Sequence, residues 1–107
     1  MFYKCDIELS KLKGGSQSVN LEKIKEIYTS IKKQGLKYSL LIDEKYNVHL
    51  GSTRLTALKL LRKKPNYIVS CIMYSKKSRE GKQITDEKKL CKELGIDNIQ
   101  RISRLFK

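Results

Sequence analysis

The sequence predicts a small α+β fold, from three observations. A period-two strand opens the chain, an amphipathic helix follows it, and strand-length apolar runs then alternate with helical spacing. The 107 residues suffice for one domain with a single modest core. The expected architecture is a small mixed sheet with two packed helices and a C-terminal helical pair.

Tyr3, Cys5, Ile7 and Leu9 alternate with Lys4, Asp6, Glu8 and Ser10, which predicts a half-buried first strand. Residues 11–19 form a loop containing Gly14-Gly15-Ser16-Gln17-Ser18, suited to closing over a ligand or simply to connecting elements. Asn20 then caps a helix in which Leu21, Ile24, Ile27, Tyr28 and Ile31 recur at spacings of three and four, with Gly35 as its stop. Lys23, Lys25, Lys32 and Lys33 lie off that stripe and read as a solvated face.

Tyr38-Ser39-Leu40-Leu41-Ile42 and Val48-His49-Leu50 read as two short strands joined by the polar turn Asp43-Glu44-Lys45-Tyr46-Asn47. The second strand stops at Gly51. Residues 54–64 read as a helix with Leu55, Leu58 and Leu61 on one side, widened by Ala57 and Leu60 and ended by Pro65. Residues 67–74, with Ile68, Val69 and Ile72, read as a buried strand. Residues 75–83 are basic and polar and read as a disordered linker or mobile loop. Thr85 precedes a helix over 86–94 stopped by Gly95, and a helix over 98–106 follows, capped by Asp97 with Gln100 at capping-box spacing. The resulting division is a main domain at 1–74, a basic linker or loop at 75–84 and a helical pair at 85–107.

Lys plus Arg number 24 against 11 Asp plus Glu, a formal charge of +13. Such a surplus favours phosphate-bearing partners, although a Lys-rich composition inherited from an AT-rich genome would also produce it, since Lys greatly outnumbers Arg. No apolar run of spanning length and no signal-peptide core is present, so the expected location is the cytoplasm, with no membrane partner. Cys5, Cys71 and Cys91 are odd in number, widely spaced and in apolar settings, which predicts reduced, partly buried thiols; no tightly bound metal is expected. His49 is the only histidine, which excludes a His-rich metal site within one chain.

The chemistry concentrates at Gly51, Ser52, Thr53 and Arg54, where a strand ends and a helix begins. First-turn amides of a helix lack intrahelical acceptors and need an anion or a cap. Gly51 permits close backbone approach, Ser52 and Thr53 can donate hydroxyl hydrogen bonds, and Arg54 can make a two-pronged contact to phosphate. The plainer reading is that Ser52 or Thr53 merely caps the helix.

The order helix, Gly35-Leu36, apolar strand, second strand, Gly51-x-x-Arg54, Ala57-bearing helix and strand resembles the ParB/sulfiredoxin superfamily domain over about residues 3 to 74. In ParB proteins the turn usually reads Gly-Glu-Arg-Arg and binds CTP phosphates; sulfiredoxins carry Gly-Cys-His-Arg with ATP, and the related free-serine kinases Gly-His-Thr-Arg. The resemblance therefore implies nucleotide binding, with CTP or ATP and Mg²⁺ as the expected ligands. Ser52 stands at the reactive-cysteine position of sulfiredoxins, which removes the thiol chemistry. The chain also lacks the Gln-Pro common after the Gly35 equivalent and the arginine often found before the first helix, and Leu50 stands where the kinases place an acid. Glu8 and Glu22 are candidate bases or Mg²⁺ ligands, but they read better as solvent-facing carboxylates.

Leu90-Cys91-Lys92-Glu93-Leu94-Gly95-Ile96 resembles the first helix and turn of a helix-turn-helix, a unit ParB proteins place after this domain. Asn98, Gln100, Arg101 and Arg104 would then face DNA. Ile102 falls one residue late for that register, and the competing reading is a plain hairpin packing Leu90, Leu94, Ile99, Ile102 and Phe106 on the main domain. Three functional classes fit: a ParB-like nucleotide-binding protein, non-catalytic or a weak NTPase, that acts on nucleic acid; a small phosphotransferase or nuclease; and a catalytically inactive module for an acidic protein partner, as in a phage or mobile-element protein.

Overall fold

The computed structural model describes residues 1–14, 20–60, 66–77 and 82–103. Within them the elements are β1 (Phe2–Glu8), α1 (Leu21–Gln34), β2 (Leu40–Ile42), β3 (Val48–Leu50), α2 (Ser52–Leu60), β4 (Ile68–Tyr74), β5 (Lys82–Ile84), α3 (Glu87–Leu94) and α4 (Gln100–Ser103). The strands make one mixed sheet in the order β3-β2-β4-β1-β5, in which only β2 and β4 run parallel. This is the mixed α+β class that the residue patterning predicts.

Helices cover both faces of the sheet, and β4 explains how. Val69, Cys71 and Met73 join Ile31, Leu40, Leu55 and Leu58 under α1 and α2. Ile72 points the other way, joining Leu41, Ile84, Leu90, Leu94 and Ile102 under α3 and α4. A strand buried on both sides reads as a near-continuous apolar run, which is how residues 67–74 read. No described helix is long and apolar enough to cross a membrane.

Local chemistry sets the helix ends. The Asn20 Oδ1 accepts from the Glu22 and Lys23 amides at 3.1 and 3.3 Å, and the Gly35 amide closes α1 on the Ile31 carbonyl at 2.8 Å. Ile24 and Ile31 are buried, whereas Leu21 stays 65% exposed because the stripe meets the core only from its second turn. In the β2–β3 turn, the Asp43 carboxylate accepts from the Lys45 and Asn47 amides at 2.8 and 3.0 Å and faces His49 Nε2 at 2.8 Å. Burial alone would push Asp43 up, but hydrogen bonds from His49, Asn47 and Lys45 outweigh it and hold the carboxyl at about 2.

Several boundaries differ from expectation. Lys82, Gln83 and Ile84, expected at the end of a linker, form β5 antiparallel to β1, with Lys82 and Gln83 exposed and Ile84 buried. One inward residue on an edge strand leaves too little apolar signal to read from the sequence. Tyr38 and Ser39 precede β2 instead of joining it, and α2 starts at Ser52 instead of residue 54. α4 begins at Gln100 because the Asn98 Oδ1 accepts from the Gln100 amide at 2.9 Å; Asp97, the expected cap, instead faces Arg101 at 3.7 Å. The expected extensions over 61–64 and 104–106, which include Arg104 and Phe106, lie outside the described residues.

Candidate functional site

α2 docks because Leu55, Ala57 and Leu58 are fully buried, and this fixes its first turn beside α1. The Gly51 carbonyl accepts from the Leu55 amide at 2.9 Å, so Gly51 occupies the N-cap position. Glycine brings no side chain to cap the turn, and the amides of Ser52, Thr53 and Arg54 have no partner within the helix. Ser52 already lies inside α2, where the Thr56 hydroxyl donates to its carbonyl at 3.0 Å. The plainer capping reading of Ser52 and Thr53 is therefore not the geometry found.

Gly51 itself is required here. Its φ is +99°, and a Cβ would collide with the Leu40 side chain and lie 2.9 Å from Arg54 Nη2. Arg54 folds back so that Nη1 donates to the Tyr38 carbonyl at 2.9 Å, which spends one of its five donors. Burial lowers the Arg54 pKa, with Tyr38 acting in the opposite direction. A guanidinium remains charged at neutral pH even so.

All four turn residues line one cleft of about 360 Å³, together with Lys23, Ile27 and Ser30 of α1 and the Leu36, Lys37 and Tyr38 segment. Lys23, which the sequence pattern puts on a solvated face, and Ser30, which belongs to no motif, both line it. The signal was present: positions 23, 27 and 30 are spaced by four and three and therefore share one side of α1. The described lining contains three cationic side chains, three hydroxyl-bearing Ser and Thr residues and no carboxylate. Leu50, in place of the acid expected beside the glycine, packs against the core under α3 and α4 on the far face. Glu8 and Glu22 do not line the cleft.

The helical pair belongs to that far face. Leu90, Leu94 and Ile102 are buried in its core and Ile99 packs against it, the packing that the hairpin reading expected. Asn98, Gln100 and Arg101 are exposed there, apart from the turn residues, with Asn98 used as the α4 cap. The described residues contain no group of three His, Cys, Asp or Glu placed to hold a metal. Cys71 is buried, which pushes its thiol up to about 12, with Cys5 and Asp6 adding to the rise.

The chain matches no protein-family profile and no curated protein. Among solved structures it is similar to a C2221 crystal form of a pNOB8-like ParB N-domain, with a TM-score of 0.58 at 23% identity. That match covers 73% of this chain and 32% of the other. It is also similar to a second pNOB8-like ParB N-domain structure, with a TM-score of 0.55 at 20% identity, covering 69% of this chain and 28% of that one. The chain thus spans about a third of the length of the structures it matches. With its two-sided sheet and the Gly51 turn set between α1 and α2, this chain has the fold of the ParB N-domain.

Proposed function

We propose that this domain binds the phosphates of a nucleotide in the cleft between α1 and α2 and acts on nucleic acid in a ParB-like role. The observation that carries the reading is the convergence of an uncapped helix start, Arg54, Lys23 and Lys37 on one cleft whose described lining has no carboxylate. The helix terminus contributes about 0.3 to 1 kcal/mol to anion binding, and a charged hydrogen bond from Arg54 about 1.5 to 3 kcal/mol. Mg²⁺, if used, arrives on the nucleotide phosphates, because the described lining offers it no carboxylate.

Binding is favoured over turnover for a related reason. Ser52 has no His, Asp or Glu among the described lining residues to act as its base. Calorimetric titration with CTP, ATP and their diphosphates tests the nucleotide half. Arg54→Ala is expected to weaken binding by roughly 10- to 150-fold, the factor matching the energy of that hydrogen bond. Absence of binding at millimolar ligand would end the nucleotide reading. The nucleic-acid half rests on the +13 charge and predicts affinity that falls steeply with salt.

A further inference from the structure

A second cleft of about 530 Å³ is lined by Lys37, Tyr38, Lys89, Lys92 and Glu93. It shares Lys37 and Tyr38 with the nucleotide cleft, so the two hollows flank one tyrosine. The only acid in its described lining, Glu93, is already neutralised by Lys4, whose Nζ lies 3.3 Å from Glu93 Oε1. Three lysines therefore surround a hollow with no uncompensated negative charge.

Tyr38 lines both clefts. Its ring packs closely against Gly95, where an added Cβ would lie 2.6 to 2.8 Å from three ring carbons, and the Lys37 Nζ sits 5.4 Å from the ring centroid. The Ser39 amide donates to the Glu93 carbonyl at 2.9 Å, tying this segment to the end of α3. Despite that packing, Tyr38 stays 37% exposed.

We infer that the Lys37, Tyr38, Lys89 and Lys92 cleft binds single-stranded nucleic acid, with lysines on the phosphates and a base against the exposed part of the Tyr38 ring. The inference rests on the nucleic-acid half of the proposed function and locates it away from Asn98, Gln100 and Arg101. The selection for single strands follows from shape. A hollow of this volume admits about one nucleotide-sized ligand, and only an unpaired base can reach an aromatic side chain inside it, whereas a duplex keeps its bases stacked. An acidic polypeptide would satisfy the lysines but gain nothing from the ring.

Fluorescence anisotropy with labelled oligo-dT and with a duplex of the same length, across a salt series, tests this. Oligo-dT is expected to bind more tightly than the duplex, and polyglutamate is expected not to displace it. Lys89→Gln with Lys92→Gln should weaken oligo-dT binding about tenfold or more and reduce the magnitude of the log–log salt slope by about 1.4, at roughly 0.7 per phosphate contact. Tyr38→Phe should retain binding and Tyr38→Leu should weaken it about 5- to 150-fold, with thermal unfolding confirming that each variant is folded. Unchanged binding in the double-lysine variant, a preference for duplex, or displacement by polyglutamate would overturn the inference. Strand binding lost in Arg54→Ala but kept in the double-lysine variant would overturn it while leaving the nucleotide cleft standing. No binding of any nucleic acid at low salt would remove the nucleic-acid half as well.

Discussion

Substituting Gly51 with alanine separates two reasons for a glycine at the turn. The first is conformational: at φ +99° an L-residue is strained by about 1 to 3 kcal/mol. The second is steric, since the new methyl group meets the fully buried Leu40 and crowds Arg54 at 2.9 Å; overpacking of this kind costs about 1 to 3 kcal/mol. Gly35 supplies the control. It also has positive φ, at +77°, but nothing lies within 4 Å of where its Cβ would be. Gly35→Ala should therefore show the strain alone and Gly51→Ala the sum, roughly 2 to 6 kcal/mol. For a domain of this size that lowers Tm by roughly 10 to 25 °C. Thermal unfolding by circular dichroism gives both numbers, and phosphate titration gives a third, because a displaced Arg54 loses its hold on the Tyr38 carbonyl. If Gly51→Ala were no more destabilised than Gly35→Ala, the close approach of Leu40 and Arg54 to the turn would not constrain it, and this account of the glycine would be wrong.

Asp43, whose pKa is lowered to about 2 in the folded state from a reference of 3.8, contributes stability that is complete above about pH 4 and is lost as the pH falls toward 2. The side chain is 27% exposed, so the contribution is about 1 to 2 kcal/mol, and urea unfolding should show the gap between wild type and Asp43→Asn closing over that range; a gap constant from pH 7 to pH 2.5 would contradict it. Cys5 and Cys71 face each other across β1 and β4 yet should remain thiols under mild oxidants. The Ser75 amide donates to Met1 and the Leu9 amide to Tyr67, and counting by twos from either end makes Cys5 and Cys71 a hydrogen-bonded pair. Such a pair holds its Cβ atoms about 5.5 Å apart, beyond the roughly 3.5 to 4.5 Å a disulfide needs; a peptide map showing a Cys5–Cys71 link in folded protein would refute this.

Legibility followed the strength of each residue's local signal. α1 was readable end to end because Asn20, the Ile24 to Ile31 spacing and Gly35 each mark it independently. β4 was readable because it is apolar on both sides. β5 was not, since its membership in the sheet depends on pairing with β1, almost 80 residues away in sequence, and only Ile84 turns inward. The α4 boundary failed for a subtler reason: Asp97 and Asn98 are both good caps, and sequence alone does not choose between adjacent candidates. At the candidate site the turn was legible as a local motif, while its walls were not. Lys23, Ser30 and Tyr38 become neighbours of Arg54 only once α1 and α2 pack, so residues read as solvated or strand-forming became part of the cleft.

Among the described residues β1 pairs with β4 and β5, both of which lie far downstream. During synthesis β1 emerges before these partners and lacks them until residue 68 and beyond have left the ribosome. Seven registered pairs with β4, from Phe2↔Tyr74 to Glu8↔Ile68, then close at long sequence separation, the kind of contact that slows folding. Until that moment Tyr3, Cys5 and Ile7 sit on an unpaired edge, and the nascent chain depends on timing to stay out of intermolecular pairing.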